Sequence, residues 1–190
     1  MTGLFLHFTP KSLEDLDYLR VLASSLMVSG IAMEIAGSSR PASGAEHLIR
    51  HAYDQVASPA SLHGLQVGAA SYLTAHLQGT TRDVVVRAAT ESGFLAYLAE
   101  HPLSRSAFTE ALERAPSIKE GFHTVLAEPG ALEQALAFCE SDPWMRQILA
   151  RGRPWGGLVG EEPPSWVWVA CRAATRSGWA CEVGVGSGTQ

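Results

Sequence analysis

Three histidines in the first half of the chain have the spacing of metal ligands. His47 and His51 are four residues apart, so they project from one face of a helix, and Asp54 follows on that face. His63 opens the next helical segment, and two antiparallel helices with a short connection can bring His47 and His63 together. Imidazoles are common ligands of zinc and similar divalent ions, although a catalytic site needs about three protein ligands. The H-x-x-x-H spacing alone is a moderate signal, because it is also frequent in surface pairs.

The loop before these histidines, residues 37–44, is rich in groups that bind anions. It precedes a predicted helix start, where free N–H groups and a partial positive charge attract anions. Arg40 can donate two hydrogen bonds to phosphate or carboxylate, and Ser38, Ser39 and Ser43 add hydroxyl groups. The loop is therefore a candidate site for a phosphorylated or polyol ligand. For the loop taken alone, a capped interhelical connection with a solvated arginine is the commoner explanation.

Helices must position these groups, and helix signals dominate the chain up to about residue 151. Thr9 and Pro10 predict the start of a first helix, whose apolar residues recur at three- and four-residue spacing as far as Gly37. Ser43 and Glu46 fit the S-x-x-E capping box of a second helix, which would extend to about residue 57. The core-facing positions of this second helix are predicted to be Ala45, Leu48, Ile49, Ala52 and Val56.

The rest of the first 151 residues also follows helical patterns. Ser58-Pro59 breaks the second helix, and a third helix is predicted at 62–78, with Gly79 as its end. Further helices are predicted at 81–91, 94–100, 104–114, 130–140 and 143–150. No alternating strand pattern of useful length is evident, and no glycine-rich βα turn. The sequence therefore predicts an all-α, multi-helix bundle over residues 1–151.

The apolar segment 18–37 raises the question of a membrane span. It carries Arg20 and Glu34 together with three serines. Charged residues in so short a segment favour a buried core helix over a span. The N-terminal residues also lack the basic and apolar regions of a secretory signal. We therefore expect a cytoplasmic protein with no membrane span.

Composition narrows the class of protein further. The chain has 190 residues, of which 46% are hydrophobic and 17% charged, enough for one core and an additional tail. A net charge of −5 with only 14 Lys and Arg argues against nucleic-acid binding. The three cysteines form no C-x-x-C pair, and their odd number favours a reduced compartment over a disulfide framework.

The composition changes near Gly152. Residues 152–190 hold four of the five tryptophans, two of the three cysteines and eight of the 18 glycines, without a helical stripe. Two interpretations are open for this irregular tail: a natural flexible extension, or sequence read out of frame from GC-rich coding DNA, which is slightly favoured. We assign no site to the tail.

The run SGIAMEIAGSSRPASGAEHLIRH, followed by LHGLQVGAA, resembles the second half of the sn-glycerol-1-phosphate dehydrogenases. These enzymes belong to the wider superfamily of iron-containing alcohol dehydrogenases, glycerol dehydrogenases and dehydroquinate synthases. The later run APSIKEGFHTVLAEPGALEQAL is similar to the helical C-terminal region of the family. The resemblance covers roughly residues 10–150.

The resemblance implies a helical C-terminal domain that forms an active-site cleft with an N-terminal NAD(P)-binding domain. In this family one aspartate and two histidines hold a divalent metal, which is zinc or sometimes nickel or iron. His47 and His63 match the two histidine ligands, and His51 matches a histidine that relays protons as a catalytic group. The metal polarises the substrate oxygen while hydride passes to or from the nicotinamide. Ser38, Ser39, Arg40 and Ser43 would then face the substrate, a small phosphorylated polyol.

Departures from the family pattern limit what the chain can do alone. The glycine-rich nucleotide-binding half is absent, and the metal-ligand aspartate belongs upstream of any residue here. The chain would therefore supply two of three metal ligands and no dinucleotide site. Leu65 also stands where the family usually has a glutamate after His-Gly, which removes a carboxylate.

Three functional hypotheses follow. The first is the catalytic C-terminal domain of a glycerol-1-phosphate dehydrogenase, nearly inactive unless a separate chain supplies the nucleotide-binding domain. The second is a fragment of a dehydroquinate synthase-like cyclase, although the loop matches the dehydrogenase pattern better. The third is a non-catalytic helical relic or partner-binding module, whose uncovered apolar surface would promote association, including homo-oligomers.

Overall fold

The computed structural model describes residues 15–57, 61–80 and 82–150. This part of the chain contains eight α-helices, which confirms the predicted all-α fold. In chain order they are α1 Leu16–Ala36, α2 Ala45–Val56, α3 His63–Gln78, α4 Arg82–Glu91, α5 Phe94–Glu100, α6 Arg105–Arg114, α7 Ala131–Ser141 and α8 Pro143–Ile148. Three short 3₁₀ turns lie at Arg40–Ala42, Ala115–Ser117 and Val125–Ala127.

The core forms where α2 packs against both α3 and α6. The inward face of α2 follows the predicted period, because Ala45, Leu48, Ile49 and Ala52 are all buried. Val56, the last predicted core position, is partly buried against the same core. Leucines of α3, α5 and α6 and residues of α8 complete a single hydrophobic cluster. The helix that carries His47 and His51 is therefore anchored along its whole inner side.

Two very short strands tie distant parts of this core together. Strand β1, Leu103–Ser104, pairs in parallel with β2, Leu149–Ala150. The side chain of Arg105 reinforces this junction, because its Nε donates to the carbonyl of Leu149 at 3.1 Å. Two residues are too few to show an alternating pattern, so the sequence predicted a helix through residue 150 where the structure has β2.

Side-chain capping explains three of the described helix starts, those of α1, α6 and α8. Asp142 accepts hydrogen bonds from the N–H groups of Trp144 and Met145 at 3.0 and 2.9 Å, so Asp142-Pro143 starts α8 as predicted. α1 begins at Leu16 with Asp15 as its N-cap. The predicted start at Thr9-Pro10 and the break at Ser58-Pro59 lie outside the described residues, as does the tail 152–190.

The prediction that segment 18–37 forms a buried core helix is wrong. Tyr18 is the only buried residue of α1, whereas 65% of Leu16 and 83% of Ile35 are exposed. Within the described part of the chain, α1 packs mainly on the 3₁₀ turn Arg40–Ala42. It is the one described helix that is long and apolar enough to cross a membrane, by length and composition alone. Because α1 is apolar on most sides, its sequence pattern does not reveal which side is covered.

Candidate metal centre

The α2–α3 pair brings His47 and His63 together. His47 lies in the first turn of α2, and His63 is the first residue of α3. Their ring centroids are 5.7 Å apart, with the ring planes tilted by 55°. An ion bound at about 2 Å from an imidazole nitrogen lies about 3 Å from that ring's centroid, so two rings at this distance can share one ion. The connection predicted to bring these histidines together therefore does so.

Glu46 fixes the orientation of the His47 ring. Its Oε1 lies 2.9 Å from Nδ1 of His47 and also accepts the N–H of Gly44 at 2.7 Å. Burial acts to raise the pKa of the Glu46 carboxyl, but its hydrogen bonds with His47 and backbone N–H groups prevail and lower that pKa. The ionised carboxylate can only accept, so Nδ1 of His47 donates. The opposite nitrogen, Nε2, then keeps its lone pair for a metal ion.

The start of α2 differs from the predicted capping box. Gly44 is the N-cap, and no side chain caps this helix. The 3₁₀ turn Arg40–Ala42 ends at Ser43, which displaces Ser43 from the capping position. Glu46 therefore bonds to the Gly44 N–H and to His47 and forms no reciprocal pair with Ser43.

His63 is held in its neutral form. Burial, followed by electrostatic interactions with Arg50 and His47, lowers the pKa of His63 to about 4. At neutral pH the ring therefore has a free lone pair, which is the form that a metal ion requires. His63 and the oriented His47 are therefore candidate ligands that lie close to each other.

Arg50 sets the tautomer of His51. Its Nη1 lies 3.0 Å from Nδ1 of His51, and a guanidinium can only donate, so Nδ1 accepts. Burial and the charge of Arg50 together lower the pKa of His51. The neutral ring therefore carries its proton on Nε2, and any proton exchange with a ligand takes place at that atom.

Asp54 shares the helix face of His47 and His51, but its oxygens are occupied. Oδ2 pairs with Nη2 of Arg50 at 2.7 Å, and Oδ1 accepts from Nε2 of the buried Gln66 at 2.9 Å. Asp54 therefore positions Arg50, which in turn positions His51. Among the described residues, no group of three His, Cys, Asp or Glu side chains could hold a metal. The described residues therefore fit a metal site only in part: they supply two imidazoles, and a third ligand is needed.

Arg40 is anchored by a distant loop. Its guanidinium carbon lies 4.7 Å from the ring centroid of Phe122, and Nη2 donates to the carbonyl of His123 at 3.1 Å. The hydroxyls of Ser38, Ser39 and Ser43 form no hydrogen bond with other described residues. These three hydroxyls are therefore available to a ligand, while Arg40 is preorganised.

Leu65, which replaces the glutamate of the family pattern, is only 4% exposed and lies in the hydrophobic core. Its side chain therefore lies on the buried side of α3, and the carboxylate beside the histidine pair comes from Glu46. The neighbouring Gln66 is buried as well, and it binds Asp54 and the carbonyl and hydroxyl oxygens of Ser61.

Sequence reasoning missed four residues around the histidines. The sequence pattern indicates Glu46 only as a capping residue of the second helix, although Glu46 is next to His47 in the chain. Arg50 precedes Asp54 by four residues, a helical ion-pair spacing that could have revealed it. Lys119 and Phe122 come from a remote segment, and no local signal connects them to Arg40.

The other described histidines have ordinary surroundings. His76 stacks on Phe138 with ring centroids 3.8 Å apart. His101 bonds through Nδ1 to the carbonyl of Tyr97, and His123 pairs with Glu128. None of these three joins the His47 group. His7 lies outside the described residues.

Comparison with curated proteins gives glycerol-1-phosphate dehydrogenases among its matches. The chain is 42% identical over 125 residues to the glycerol-1-phosphate dehydrogenase (NAD(P)+) of Haloquadratum walsbyi, which covers 61% of this chain and 35% of that protein. The enzyme of the same name from Thermococcus sibiricus is 36% identical over 65% of this chain and 35% of its own length. That of Cenarchaeum symbiosum is 40% identical over 58% of the chain and 31% of its length. No family model matches the chain.

The chain is therefore similar to part of a group of NAD(P)-dependent dehydrogenases. More particularly, the matches confirm its resemblance to a partial, C-terminal region of the glycerol-1-phosphate dehydrogenases. The chain spans about a third of the length of the curated relatives that it matches.

Proposed function

We propose that this chain provides the metal- and substrate-binding region of a metal-dependent, NAD(P)-dependent glycerol-1-phosphate dehydrogenase. The observation that carries the proposal is the His47–His63 pair, with Glu46 bonded to Nδ1 of His47. The similarity to dehydrogenases of this name supports the reaction class, the interconversion of dihydroxyacetone phosphate and glycerol 1-phosphate.

His47 and His63 would hold a divalent cation, with zinc as the first choice and nickel or iron as alternatives. A bound cation would supply Lewis-acid polarisation of the substrate oxygen. His51 contributes separately, because its Nε2–H can hydrogen-bond to a substrate oxygen while Arg50 holds Nδ1. The role of His51 is thus to hold or exchange one proton at Nε2.

The substrate would lie between the histidines and the loop that contains Arg40. A phosphorylated polyol offers an anionic group for Arg40 and hydroxyl groups for the free hydroxyls of Ser38, Ser39 and Ser43. Phe122 and His123 restrain Arg40 before the ligand arrives, which reduces the entropy lost on binding.

NAD(P) would bind to a nucleotide-binding domain on a longer form of the protein or on a separate chain. This domain would also contribute the aspartate that completes the metal site. We place this assembly in the cytoplasm. Alone, the chain binds metal weakly and turns over little substrate, because hydride has no donor site.

An NAD(P)H-oxidation assay tests this proposal. The chain would be mixed with dihydroxyacetone phosphate and zinc or nickel, with and without the nucleotide-binding half of a relative such as that of Thermococcus sibiricus. We expect turnover only with both parts, and its loss in His47→Ala and His63→Ala. Robust turnover by the chain alone would show that the second part is unnecessary. Failure of His63→Ala to reduce turnover would contradict the metal assignment.

A partner-binding role without catalysis is the second candidate, and the exposed apolar surface of α1 favours it. Homo-oligomers would cover the same surface. Light scattering distinguishes a monomer from dimers and larger assemblies. A monomer with no metal affinity would favour an independent module, whereas dimers or larger assemblies would favour a surface that needs a partner.

A further inference from the structure

Two cations contact the ring of Phe122. The guanidinium carbon of Arg40 lies 4.7 Å from the ring centroid, and Nζ of Lys119 lies 4.8 Å from it. The two charges are therefore no further apart than the sum of these distances. Like charges repel each other, while each of the two cations gains a cation–π contact with the ring.

Neither cation has a carboxylate partner among the described residues. Arg40 uses Nη2 to bind the carbonyl of His123, which brings no negative charge. By contrast, Arg20, Arg50 and Arg114 each form an ion pair with a nearby Asp or Glu. In a chain of net charge −5, a pair of cations without an acidic partner is a favourable place for an anion.

Arg40 and Lys119 both connect to the part of the chain that carries His51. Burial and the charge of Arg50 lower the pKa of His51 most, and Lys119 contributes to the same shift. Lys119 is therefore within electrostatic range of His51, although it belongs to a different segment of the chain. Arg40 reaches that segment from the loop that immediately precedes α2.

We infer that Lys119 and Arg40 together bind the phosphate group of the ligand, with Phe122 as the platform that holds both cations. Arg40 offers two parallel donors to phosphate oxygens, and Lys119 adds a flexible point charge. The inference rests on the proposed function for the identity of the phosphate ester. The phosphate would be fixed here, while the rest of the ligand extends toward His51.

Binding of inorganic phosphate and of glycerol 1-phosphate to the full chain tests this inference. Isothermal titration at low ionic strength gives the affinities, with glycerol as the probe that lacks phosphate. Lys119→Ala should lower the affinity for both phosphate-containing probes by about tenfold or more, because one hydrogen bond to a charged group is lost. Lys119→Arg should recover most of this loss, and Arg40→Ala should be at least as damaging.

Arg146→Ala provides the matched control, because it removes one exposed cation from α8. If Lys119→Ala and Arg146→Ala weaken phosphate binding equally, net charge alone is responsible and the inference is wrong. Absence of phosphate binding by the unchanged chain would overturn it as well. Phosphate binding that depends on Lys119, in a chain that gives no turnover even when it is mixed with the nucleotide-binding half, would retain the inference and reject the proposed function.

Substitutions of Phe122 distinguish the contribution of its ring to phosphate binding from that of the two charges alone. Phe122→Tyr keeps a ring and should preserve phosphate affinity, whereas Phe122→Leu removes the cation–π contacts and should reduce it severalfold. Equal affinities for the two variants would contradict the platform role. Circular dichroism of each variant verifies that the helices remain, since Phe122 is half-buried.

Discussion

Glu46 lies next to His47 in sequence and accepts a hydrogen bond from its Nδ1 at 2.9 Å, with the same oxygen that accepts from the Gly44 N–H. One carboxylate thus connects the start of α2 to the ring that is proposed to bind metal. The start of α2 and the orientation of the His47 ring are consequently coupled, so a change in one should alter the other.

Removing this carboxylate should weaken metal binding. In Glu46→Ala, the His47 ring loses its fixed tautomer, and we expect zinc affinity to fall by about 10–100-fold. Competition with a colorimetric chelator measures this affinity. Glu110→Ala is the control, because Glu110 is a half-exposed helix carboxylate that pairs with Arg114. Equal zinc affinities of Glu46→Ala and the unchanged chain would show that Glu46 does not support the ligand.

Gly44→Ala should weaken zinc binding through the same contact. A Cβ at Gly44 would lie 2.8 Å from Oε2 of Glu46, so the carboxylate must move away from His47. Stability should change little, because a flexible side-chain end can yield. Gly64→Ala is the matched control next to His63, since its Cβ meets nothing within 4 Å. The expected result is a loss of zinc affinity in Gly44→Ala alone; a loss in both variants would point to a general glycine effect.

Gly68→Ala should destabilise the fold. A Cβ at this position of α3 would lie 2.1 Å from the ring of Phe94, at the start of α5. Because the ring must shift, the free energy of unfolding should drop by about 1–3 kcal/mol. Urea denaturation measures the change, again with Gly64→Ala as the control. Combining Gly68→Ala with Phe94→Leu should recover part of the loss, and strictly additive effects would exclude this contact as the cause.

Acid should destabilise the metal-free chain through His63. The unfolded histidine takes up a proton near pH 6.5, whereas the folded one does so only at about 4. Between these values unfolding binds a proton, so the free energy of unfolding decreases as the pH is lowered from 6.5 towards 4. Above 6.5 both states are neutral and His63 contributes no pH dependence.

Denaturation midpoints measured in the presence of a chelator test this sign. His63→Gln should flatten the decrease between pH 6.5 and 4, although some slope remains because burial also lowers the pKa values of His51 and His76. An unchanged slope in His63→Gln would show that this ring is not the group responsible.

The parts of the fold that the sequence predicted have strong local signals. Residues 94–100 and the α8 start at Asp142-Pro143 are found where propensity and capping chemistry placed them. The core face of α2 was predictable because Leu48, Ile49 and Ala52 follow the helical period. The approach of His47 to His63 followed from their places on two helices with a short connection.

The remaining features depend on contacts that no local pattern contains. The exposure of α1 depends on which other segments pack against it. An apolar helix of this kind has the same sequence pattern whether it is buried or exposed. The cation pair at Phe122 joins the Arg40 loop to a segment about 80 positions later, a type of contact for which sequence periodicity gives no signal. The N-cap at Gly44 depended on a 3₁₀ turn that displaced the start of α2.

The long-range bonds of the core have a consequence for how the molecule is made. The hydroxyl of Tyr53 accepts a hydrogen bond from the N–H of Ser104 at 3.0 Å. Strand β1 can form only when its partner strand at Leu149 has been synthesised. Helical proteins usually fold fast through local contacts, but these links span much of the sequence. During synthesis α2 and α3 leave the ribosome well before β2 exists. The hydrogen bonds that join β1 to β2 therefore form late in translation, and a nascent chain stalled before Leu149 would carry the two histidines on α2 and α3 without that strand pair.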